Sequence, residues 1–419
     1  MASMRLRDNK MNKPIVIIGA NAAGVSAALT LRQHGFDGSI SLLSSEKQLP
    51  YERPAVSKEI LLNGKAPLIL PEEEYQNNNI DLLLGSTAVD IDVSASSVVL
   101  DSGKELKAQK ILIATGGRVR KLQIPGADKK GILYARSFED SMAISDTLFT
   151  GTKLIVIGGG LIGAEIAACA IHQGCEVTWV EAEPACLNRA LGTPLAEVMM
   201  GIHRAKGVVI ETNASVTKIL GEAKASGIEL SDGRKLYADA LVVGIGITPV
   251  DELAAKAGIR LENGIAVDRR CETSIPNIFA AGDVAFHKTS HMVKPGRLEH
   301  WHNAQKQGAV AAQAMLGLPA DYDELPWFWT DQYVHHIEGC GLAHMTDELI
   351  ERSSDCGERK TYFYLRNDRL VATTSLNRPN DVRASMRLIA KGYTPDRRLL
   401  SDPTVDLRKL EKELKNAIS

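Results

Sequence analysis

The stretch KLIVIGGGLIGAEIAA, residues 153–168, decides the fold. A β-branched apolar run is followed by a glycine turn and a small-residue helical pattern, which is how a dinucleotide-binding domain begins. Gly158 makes the turn, Gly160 lets the backbone approach a pyrophosphate, and Gly163 packs the helix on the strand. We therefore expect the phosphates at the positive end of this helix.

A carboxylate after the next apolar run indicates which nucleotide is bound. Glu181 ends CEVTWVE, residues 175–181, roughly 20 residues after Gly163, where a carboxylate accepts both ribose hydroxyls. The same charge would repel a 2′-phosphate, and the following residues offer no arginine to bind one. The motif therefore predicts NADH rather than NADPH.

A similar pattern, PIVIIGANAAGVSAAL, occupies residues 14–29. Its glycines are Gly19 and Gly24, and Asn21 replaces the middle glycine. Asparagine tolerates unusual backbone angles, but its Cβ restricts close approach. Glu46 is the candidate ribose acid, less cleanly placed than Glu181 because a longer loop precedes it. Each pattern also has a downstream counterpart, KILIATGG and ALVVGIGITP, so we expect two dinucleotide-binding domains.

An aspartate far down the chain supports a flavin in the first of these domains. Within SIPNIFAAGDVA, Asp283 follows a glycine-containing turn after a predicted short strand, Ile278 to Ala280. An aspartate there can accept a hydrogen bond from the ribityl hydroxyls of a flavin. The alternative is a solvated turn residue, which is common for an isolated Gly-Asp pair.

The predicted fold class is α/β, with two Rossmann-like domains and a C-terminal α+β domain. The expected boundaries are 12–118 with 249–325 for the first Rossmann-like domain, 119–248 for the second, and 326–419 for the last domain. Pro/Gly-rich connections lie at residues 121–131 and 317–327. Residues 360–376 alternate like strands around a turn, and residues 381–392 and 406–419 are predicted helices. The first ten residues are expected to be a disordered extension.

Composition excludes several classes of protein. The chain has 419 residues, 44% hydrophobic and 24% charged, with a formal net charge of −2, so neither nucleic acid nor an anionic membrane is an expected partner. The first apolar run is too short for a signal peptide, and we expect a cytoplasmic protein. The six cysteines have irregular spacing without CxxC, and His287 and His291 lack a carboxylate partner, so no metal site is expected.

With these motifs in place, the chain resembles the ferredoxin reductase components of bacterial aromatic-ring dioxygenase and haem monooxygenase systems. The strings that carry the resemblance span nearly the whole chain: PYERPAVSKE, ATGGR, GGGLIGAE, IFAAGDVA, RLEHWHNAQKQG, PWFWTDQY and NRPNDVRASMRLI. The chain departs from the family pattern at Asn21, at Val250, where asparagine is usual, and at Ala55, where proline is usual.

The resemblance implies FAD in the first Rossmann domain and NADH in the second. It implies that Lys58 lies near flavin N5, where it would stabilise the reduced anionic flavin. It also implies that Glu165 lies near the nicotinamide and pairs with Lys58 when the cofactor is oxidised. With the motif residues, the expected FAD set is Gly19, Asn21, Gly24, Glu46, Arg53, Lys58, Thr115, Gly116, Arg118, Asp283, Glu299, Trp301 and Trp329. The expected NAD set is Gly158, Gly160, Gly163, Glu165, Glu181 and Gly246.

Ordinary structural roles are the alternatives for several of these residues. Lys58 and Glu165 could be solvated helix charges, as most such residues are. Trp327 and Trp329 could be core residues, since aromatics two apart on a strand share a face. In the family resemblance, Trp329 instead lies at the exposed flavin edge, where an acceptor protein would dock.

The sequence therefore predicts an NADH-dependent, FAD-containing reductase that passes single electrons to a [2Fe–2S] ferredoxin feeding an oxygenase, with an aromatic-ring dioxygenase favoured over a haem monooxygenase. A Rieske-type ferredoxin is the favoured acceptor, because its potential of roughly −150 mV or higher lies above that of plant-type clusters, at about −400 mV. A rubredoxin is an alternative acceptor. Either a monomer or a homodimer is compatible with the sequence.

Two other classes of flavoprotein share this architecture. Disulfide and peroxide reductases relay electrons through a cysteine beside the flavin, but no cysteine precedes Cys169, so a thiolate relay is not expected. Apoptosis-inducing-factor-like flavoproteins act mainly by binding, and their DNA-binding members need a basic surface that the net charge of −2 does not support.

Overall fold

The computed structural model describes residues 14–343, 346–354 and 358–410. The chain forms two compact units. The first unit comprises residues 14–54, Ala66–Arg118 and Ile247–Glu324. The second unit comprises Ala55–Lys65, Val119–Gly246 and the described residues from Leu325 onward. Residues 55–65, which the predicted FAD domain includes, thus pack in the second unit, and the domain boundaries stay predictions.

The elements of the chain up to Val119 begin as an alternation of short strands and helices and end in a run of short strands. They are β1 (Ile15–Ile18), α1 (Ala22–Gln33), β2 (Ile40–Leu43), a 3₁₀ helix (Arg53–Ser57), α2 (Glu59–Asn63), α3 (Glu72–Asn77), β3 (Ile80–Leu83), β4 (Ala88–Asp92), β5 (Ser97–Leu100), β6 (Glu105–Lys107), β7 (Lys110–Ile113) and β8 (Gly117–Val119).

The following stretch repeats the same alternation. It contains β9 (Ile132–Tyr134), α4 (Phe138–Ser145), β10 (Lys153–Ile157), α5 (Leu161–His172), β11 (Glu176–Val180), α6 (Asn188–Leu191), α7 (Thr193–Ala205), β12 (Val209–Glu211), β13 (Val216–Leu220), β14 (Gly227–Leu230), β15 (Lys235–Tyr237) and β16 (Ala240–Val243).

The rest of the chain returns to the first unit and then completes the second. The first-unit elements are β17 (Ile247–Pro249), α8 (Glu252–Lys256), β18 (Leu261–Glu262), β19 (Gly264–Ala266), β20 (Ile278–Ala280), β21 (Ala285–Phe286) and α9 (Trp301–Met315). The second-unit elements are β22 (Trp327–Gln332), β23 (His335–Gly341), β24 (Glu348–Ser353), β25 (Lys360–Arg366), β26 (Arg369–Leu376), α10 (Pro379–Ala390) and α11 (Arg397–Ser401).

The predicted α/β class is confirmed. The first unit has a parallel five-stranded sheet in the order β20-β7-β1-β2-β3, and the second has one in the order β12-β11-β10-β16-β9. The C-terminal sheet is antiparallel in the order β22-β23-β26-β25-β24. The predicted strand at Ile278–Ala280, the strand pair within residues 360–376 and the helix that follows them are all present.

Both parallel sheets are covered on both faces, which explains the uninterrupted apolar runs of β1 and of residues 154–157 in β10. In β1, Ile15 and Ile17 face the cluster that contains α1 and α9, whereas Val16 and Ile18 face the cluster beneath β5 and α8. Strand β10 divides in the same way between the α5 and α7 side and the β13–β15 side. Each glycine loop therefore follows a strand whose position is held from both faces.

Among the described residues, none of the helices combines the length and apolar character needed to cross a membrane. The predicted N-terminal extension lies outside the described residues, and so does most of the predicted helix at 406–419.

Helix α9 crosses α1 so closely that one position admits only glycine. A Cβ on Gly308 would lie 2.1 Å from the carbonyl oxygen of Ala23. We expect Gly308→Ala to lower the free energy of unfolding by about 1–3 kcal/mol, because two helix backbones must separate. Denaturant titration followed by circular dichroism measures this.

The matched control is Gly201→Ala on the exposed side of α7, where a Cβ meets nothing within 4 Å. There we expect the free energy of unfolding to rise by up to about 1 kcal/mol, because alanine has a higher helix propensity than glycine. Equal effects of the two substitutions would contradict the close packing of α9 on α1.

Candidate functional site

The first glycine loop joins β1 to α1 with little room for side chains. Gly19 has φ +117°, and a Cβ there would lie 2.2 Å from the carbonyl oxygen of Ala114. A Cβ on Gly24 would lie 1.9 Å from the carbonyl oxygen of Gly19, as expected for the glycine that packs helix on strand. Both positions therefore require glycine.

Asn21 caps α1 with an ordinary extended backbone, at φ −127° and ψ −158°. Its Oδ1 accepts from Ala22 N at 3.0 Å, and its Nδ2 donates to the carbonyl of Tyr51 at 3.1 Å. The position thus needs no left-handed conformation. The hydrogen bond to Tyr51 connects the start of α1 to the segment that carries Arg53.

Glu46 and Arg53 belong to one hydrogen-bonded group in the first unit. Arg53 donates from Nη2 to Glu46 Oε1 at 2.6 Å and from Nη1 to Tyr51 Oη at 2.7 Å. Tyr51 Oη donates to Glu46 Oε2 at 2.7 Å. The sequence pattern did not single out Tyr51, which is 1% exposed and lies between the two predicted residues.

Thr115, Gly116 and Arg118 follow β7 in the first unit. Thr115 Oγ1 donates to the carbonyl of Val250 at 2.6 Å, and Val250 N donates to the carbonyl of Gly116 at 3.0 Å. Arg118 forms an ion pair with Glu252 in which both side chains are about half exposed. Position 250, where the chain departs from the family pattern, therefore supports this segment with its backbone rather than its side chain.

Asp283 and Glu299 are joined by a buried arginine that the sequence analysis missed. Arg297, whose side chain is 6% exposed, donates from Nη1 to the carbonyl of Asp283 at 2.9 Å and pairs with Glu299 at 3.0 Å. The turn before Asp283 is fixed by Gln307, whose Oε1 accepts from Gly282 N at 2.8 Å. Trp301, the first residue of α9, packs against the hydrophobic cluster that contains α1 and α9.

In the second unit, the loop between β10 and α5 leaves a helix N-terminus uncovered. A Cβ on Gly158 would lie 2.4 Å from the carbonyl of Gly244, and one on Gly163 would lie 2.4 Å from that of Gly158. At Gly160, in contrast, a Cβ would meet no described atom within 4 Å, and none of the described side chains caps the helix. The open approach to these N–H groups fits a pyrophosphate.

Glu181 lies beside this loop, where its Oε2 accepts from Gly159 N and its Oε1 accepts from Glu183 N at 2.8 Å. A carboxylate has roughly four acceptor positions, so both ribose hydroxyls can still be accommodated. Gly246, with φ +94° and nothing within 4 Å of its Cβ position, lies after β16.

Lys58 and Glu165 form an ion pair with 3.2 Å between Nζ and Oε1. Glu165 is 4% exposed, so it is not a solvated helix charge. The hydroxyl of Ser57 donates to its Oε2, and that of Thr330 donates to its Oε1 at 2.5 Å. Burial raises the pKa of Glu165, and Lys58 and the two hydroxyls oppose that rise. The sequence analysis missed Ser57 and Thr330.

The other side of Lys58 faces strand β22. Its Nζ lies 3.8 Å from Asp331 Oδ2 and 5.9 Å from the centre of the Trp329 ring. The rings of Trp327 and Trp329 are stacked with centroids 5.2 Å apart, and both are half-buried. Strand alternation thus places Trp327, Trp329 and Asp331 on one face and Thr330 on the other.

His336 on β23 extends this charged group. Its Nδ1 lies 2.6 Å from Asp331 Oδ1, and its Nε2 lies 2.9 Å from Oε1 of the buried Glu338. Partial burial lowers the pKa of His336, but the hydrogen bonds to Glu338 and Asp331 outweigh it, so the pKa is raised above its ordinary value.

The chain is similar to known proteins over nearly its whole length. Residues 13–308 match the family model for pyridine nucleotide-disulphide oxidoreductases, and residues 327–411 match the reductase C-terminal model. The ferredoxin–NAD(+) reductase component of an anthranilate 1,2-dioxygenase system from Burkholderia cepacia is 37% identical over 94% of this chain and 98% of its own.

Two further comparisons concern a second reductase sequence and a solved structure. The rubredoxin–NAD(+) reductase of Pseudomonas putida is 35% identical over 87% of this chain and 96% of its own. A chain of the crystal structure of the covalent putidaredoxin reductase–putidaredoxin complex superposes with a TM-score of 0.91, at 32% identity, over 96% of this chain and 99% of that chain.

The raised pKa of His336 has a consequence for stability. The stabilisation that protonated His336 gives to the fold is fully present below its unfolded pKa, near 6.5. It is lost as pH rises through the higher folded pKa. We expect His336→Gln to lower the free energy of unfolding by about 1 kcal/mol or less at about pH 5.5, since the pair is partly exposed, and by less at about pH 8.5.

Urea titrations of both proteins across that pH range measure the difference. Val334→Thr is the control, because Val334 lies in the adjacent turn, is 88% exposed and carries no titratable group. A His336→Gln effect that stayed constant with pH would rule out the charged histidine.

Proposed function

Because the chain belongs to the pyridine nucleotide-disulphide oxidoreductase family, we propose that it is an NADH-dependent ferredoxin reductase. FAD is the proposed flavin and a [2Fe–2S] ferredoxin the proposed acceptor, with a Rieske-type protein favoured and an oxygenase as the final consumer of the electrons. The naming of the 37% identical relative as a ferredoxin–NAD(+) reductase component supports this assignment. The cytoplasmic location stays a prediction.

The observation that carries the proposal is the buried Lys58–Glu165 pair in a chain whose described cysteines are all free thiols. The chemistry that a bound flavin would supply is acceptance of hydride from the nicotinamide and release of single electrons. The residues of the chain then have to align the nucleotides and supply charge. Lys58 is the proposed cation for the reduced flavin, and Glu165 holds that ammonium in place.

The cysteines argue against a thiol relay in this protein. Cys169 contacts the Lys58 segment, because its thiol donates to the carbonyl of Ser57 at 3.4 Å. Burial raises its pKa to about 12, so almost no thiolate is present at neutral pH. Burial also raises the pKa of Cys175, Cys186, Cys271 and Cys340. Cys356 lies outside the described residues.

The proposed nucleotide contacts follow the two glycine loops. In the second loop, the open helix N-terminus at Gly160 would receive the NADH pyrophosphate, and Glu181 would accept the ribose hydroxyls. In the first loop, Gly19 and Gly24 bring strand and helix together for FAD. Asp283 is proposed for the ribityl arm of FAD, with Arg297 holding its backbone.

Rubredoxin is the second candidate acceptor. It is favoured by the 35% identity to a rubredoxin–NAD(+) reductase over 96% of that relative. The two candidates are separated by comparing reduction of a [2Fe–2S] ferredoxin with reduction of a rubredoxin at equal acceptor concentration. Faster ferredoxin reduction is the expected result.

Nucleotide preference tests the role of Glu181. Cytochrome c reduction through added ferredoxin is measured with each nucleotide as the electron donor. We expect NADH to support a much higher rate than NADPH. Glu181→Gln should lower kcat/KM for NADH by about 10- to 100-fold, because hydrogen bonds to a charged acceptor are worth about 1.5–3 kcal/mol.

Glu183→Gln is the matched control, since Glu183 is an exposed neighbour that bonds Glu181 through its backbone N–H alone. Its kcat/KM should equal that of the wild-type protein. A wild-type protein that oxidised NADH with disulfides or peroxides, and passed nothing to ferredoxin or rubredoxin, would overturn the proposed function.

A further inference from the structure

A chain of hydrogen bonds runs from Glu165 through the interior of the second unit. The Thr330 hydroxyl lies 2.5 Å from Glu165 Oε1, and Gln332 Nε2 lies 3.3 Å from Thr330 Oγ1. Gln332 Oε1 lies 2.9 Å from Nε2 of His203, and Nδ1 of His203 lies 2.9 Å from the hydroxyl of Tyr333. These contacts connect α5, β22 and α7 through side chains alone.

This chain of hydrogen bonds is closed to solvent along most of its length. His203 and Thr330 are 0% exposed and Gln332 is 1% exposed, whereas Tyr333 is half-buried in the turn after β22. The His203 ring packs on Trp179 at 5.0 Å between centroids. A donor lost here cannot be replaced by bulk water, so a substitution that removes one leaves an unpaired buried group.

An ionised carboxylate at Glu165, as in an ion pair with Lys58, sets the direction of every bond in this chain of hydrogen bonds. An ionised carboxylate only accepts, so Thr330 must donate to Glu165 and must itself accept from the Gln332 amide. The amide oxygen of Gln332 then accepts from the Nε2–H of His203, which leaves Nδ1 to accept from Tyr333. Burial lowers the pKa of His203, which agrees with this neutral form.

We propose that His203 is a positioning residue that acts through Gln332 and Thr330 to keep a hydroxyl donor on Glu165, so that the carboxylate remains ionised beside Lys58. The inference rests on the proposed function, in which that pair acts on the nucleotides. His203 would touch neither nucleotide, and its effect would reach Glu165 through a set of bonds that all point one way.

Other charged and titratable groups also act on the two ends of the chain. Glu165 faces the Lys58 ammonium, which also lies 3.8 Å from Asp331 Oδ2. The thiol of Cys169 lies one turn further along the same helix. Near the other end, Lys206 lies 5.9 Å from the Tyr333 ring and influences His335. Since the substitutions below leave all of these groups in place, a shift at Glu165 reports on the hydrogen-bonded chain.

Two pairs of variants test the chain at different distances from Glu165. Thr330→Val removes the hydroxyl and keeps the shape, while Thr330→Ser retains the hydroxyl. His203→Phe removes the ring N–H, while His203→Gln retains an amide donor. Met199→Leu is the packing control, because Met199 is 0% exposed on the same helix α7 and carries no hydrogen-bonding group of this kind.

The first readout is the ionisation of Glu165 itself. Infrared spectroscopy follows its carboxyl band through a pH titration, and the band is identified by its absence in Glu165→Gln. We expect the midpoint to rise by about one pH unit in Thr330→Val and by about half a unit in His203→Phe, since one unit corresponds to 1.36 kcal/mol. Thr330→Ser, His203→Gln and Met199→Leu should keep the wild-type midpoint.

The second readout is the pH dependence of flavin reduction by NADH in the FAD-loaded protein. We expect its acid limb to move upward by the same amounts in the same two variants. A wild-type midpoint in His203→Phe would overturn the proposal, and so would a shift in Met199→Leu as large as that in His203→Phe.

The two readouts separate this inference from the proposed function. If the loaded wild-type protein were not reduced by NADH, the proposed function would fail, while the infrared titration would still decide the role of His203. If the wild-type protein were reduced normally but Thr330→Val alone shifted the band, the chain beyond Thr330 would have no effect and the inference would be wrong.

Discussion

The second unit depends on the burial of one carboxylate. Glu165 is 4% exposed, and an ion in such surroundings is strongly destabilised unless it is paired and hydrogen-bonded. The protein meets this requirement with the Lys58 ammonium and the hydroxyls of Ser57 and Thr330. Ser57 and Lys58 are neighbours at the junction of the 3₁₀ helix and α2, and Thr330 lies on β22. The charge on one side chain of α5 therefore ties together three segments of the second unit.

The fold supplies this arrangement through the glycine loop. Gly158 and Gly163 let α5 begin directly behind β10, and that start places Glu165 in the first half of the helix. Strand β22 then divides its residues between two environments. Thr330 and Gln332 face inward to hydrogen-bond partners, whereas Trp329 and Asp331 lie on the face that Lys58 approaches.

Local patterns in the sequence predicted the parts of the structure that depend on local physics. Uninterrupted β-branched runs predicted β1 and β10, and the glycine spacing predicted the loops that follow them. Asn21 shows the limit of a motif, because its backbone is extended and its side chain bonds Tyr51. Ser57 and Thr330 lie 108 and 165 residues from Glu165, and no spacing rule connects hydroxyls so distant in sequence. Arg297 and Gln307 were missed for the same reason, since tertiary packing alone brings them to the Asp283 turn.

The most direct test of the account is the stoichiometry of electron delivery. The FAD-loaded protein is mixed without oxygen with a limiting amount of NADH and an excess of oxidised [2Fe–2S] ferredoxin, and the absorbance of both proteins is followed. The account predicts two reduced ferredoxins for each NADH oxidised, with no change after alkylation of accessible thiols. Oxidation of NADH without ferredoxin reduction, or loss of transfer after alkylation, would contradict it.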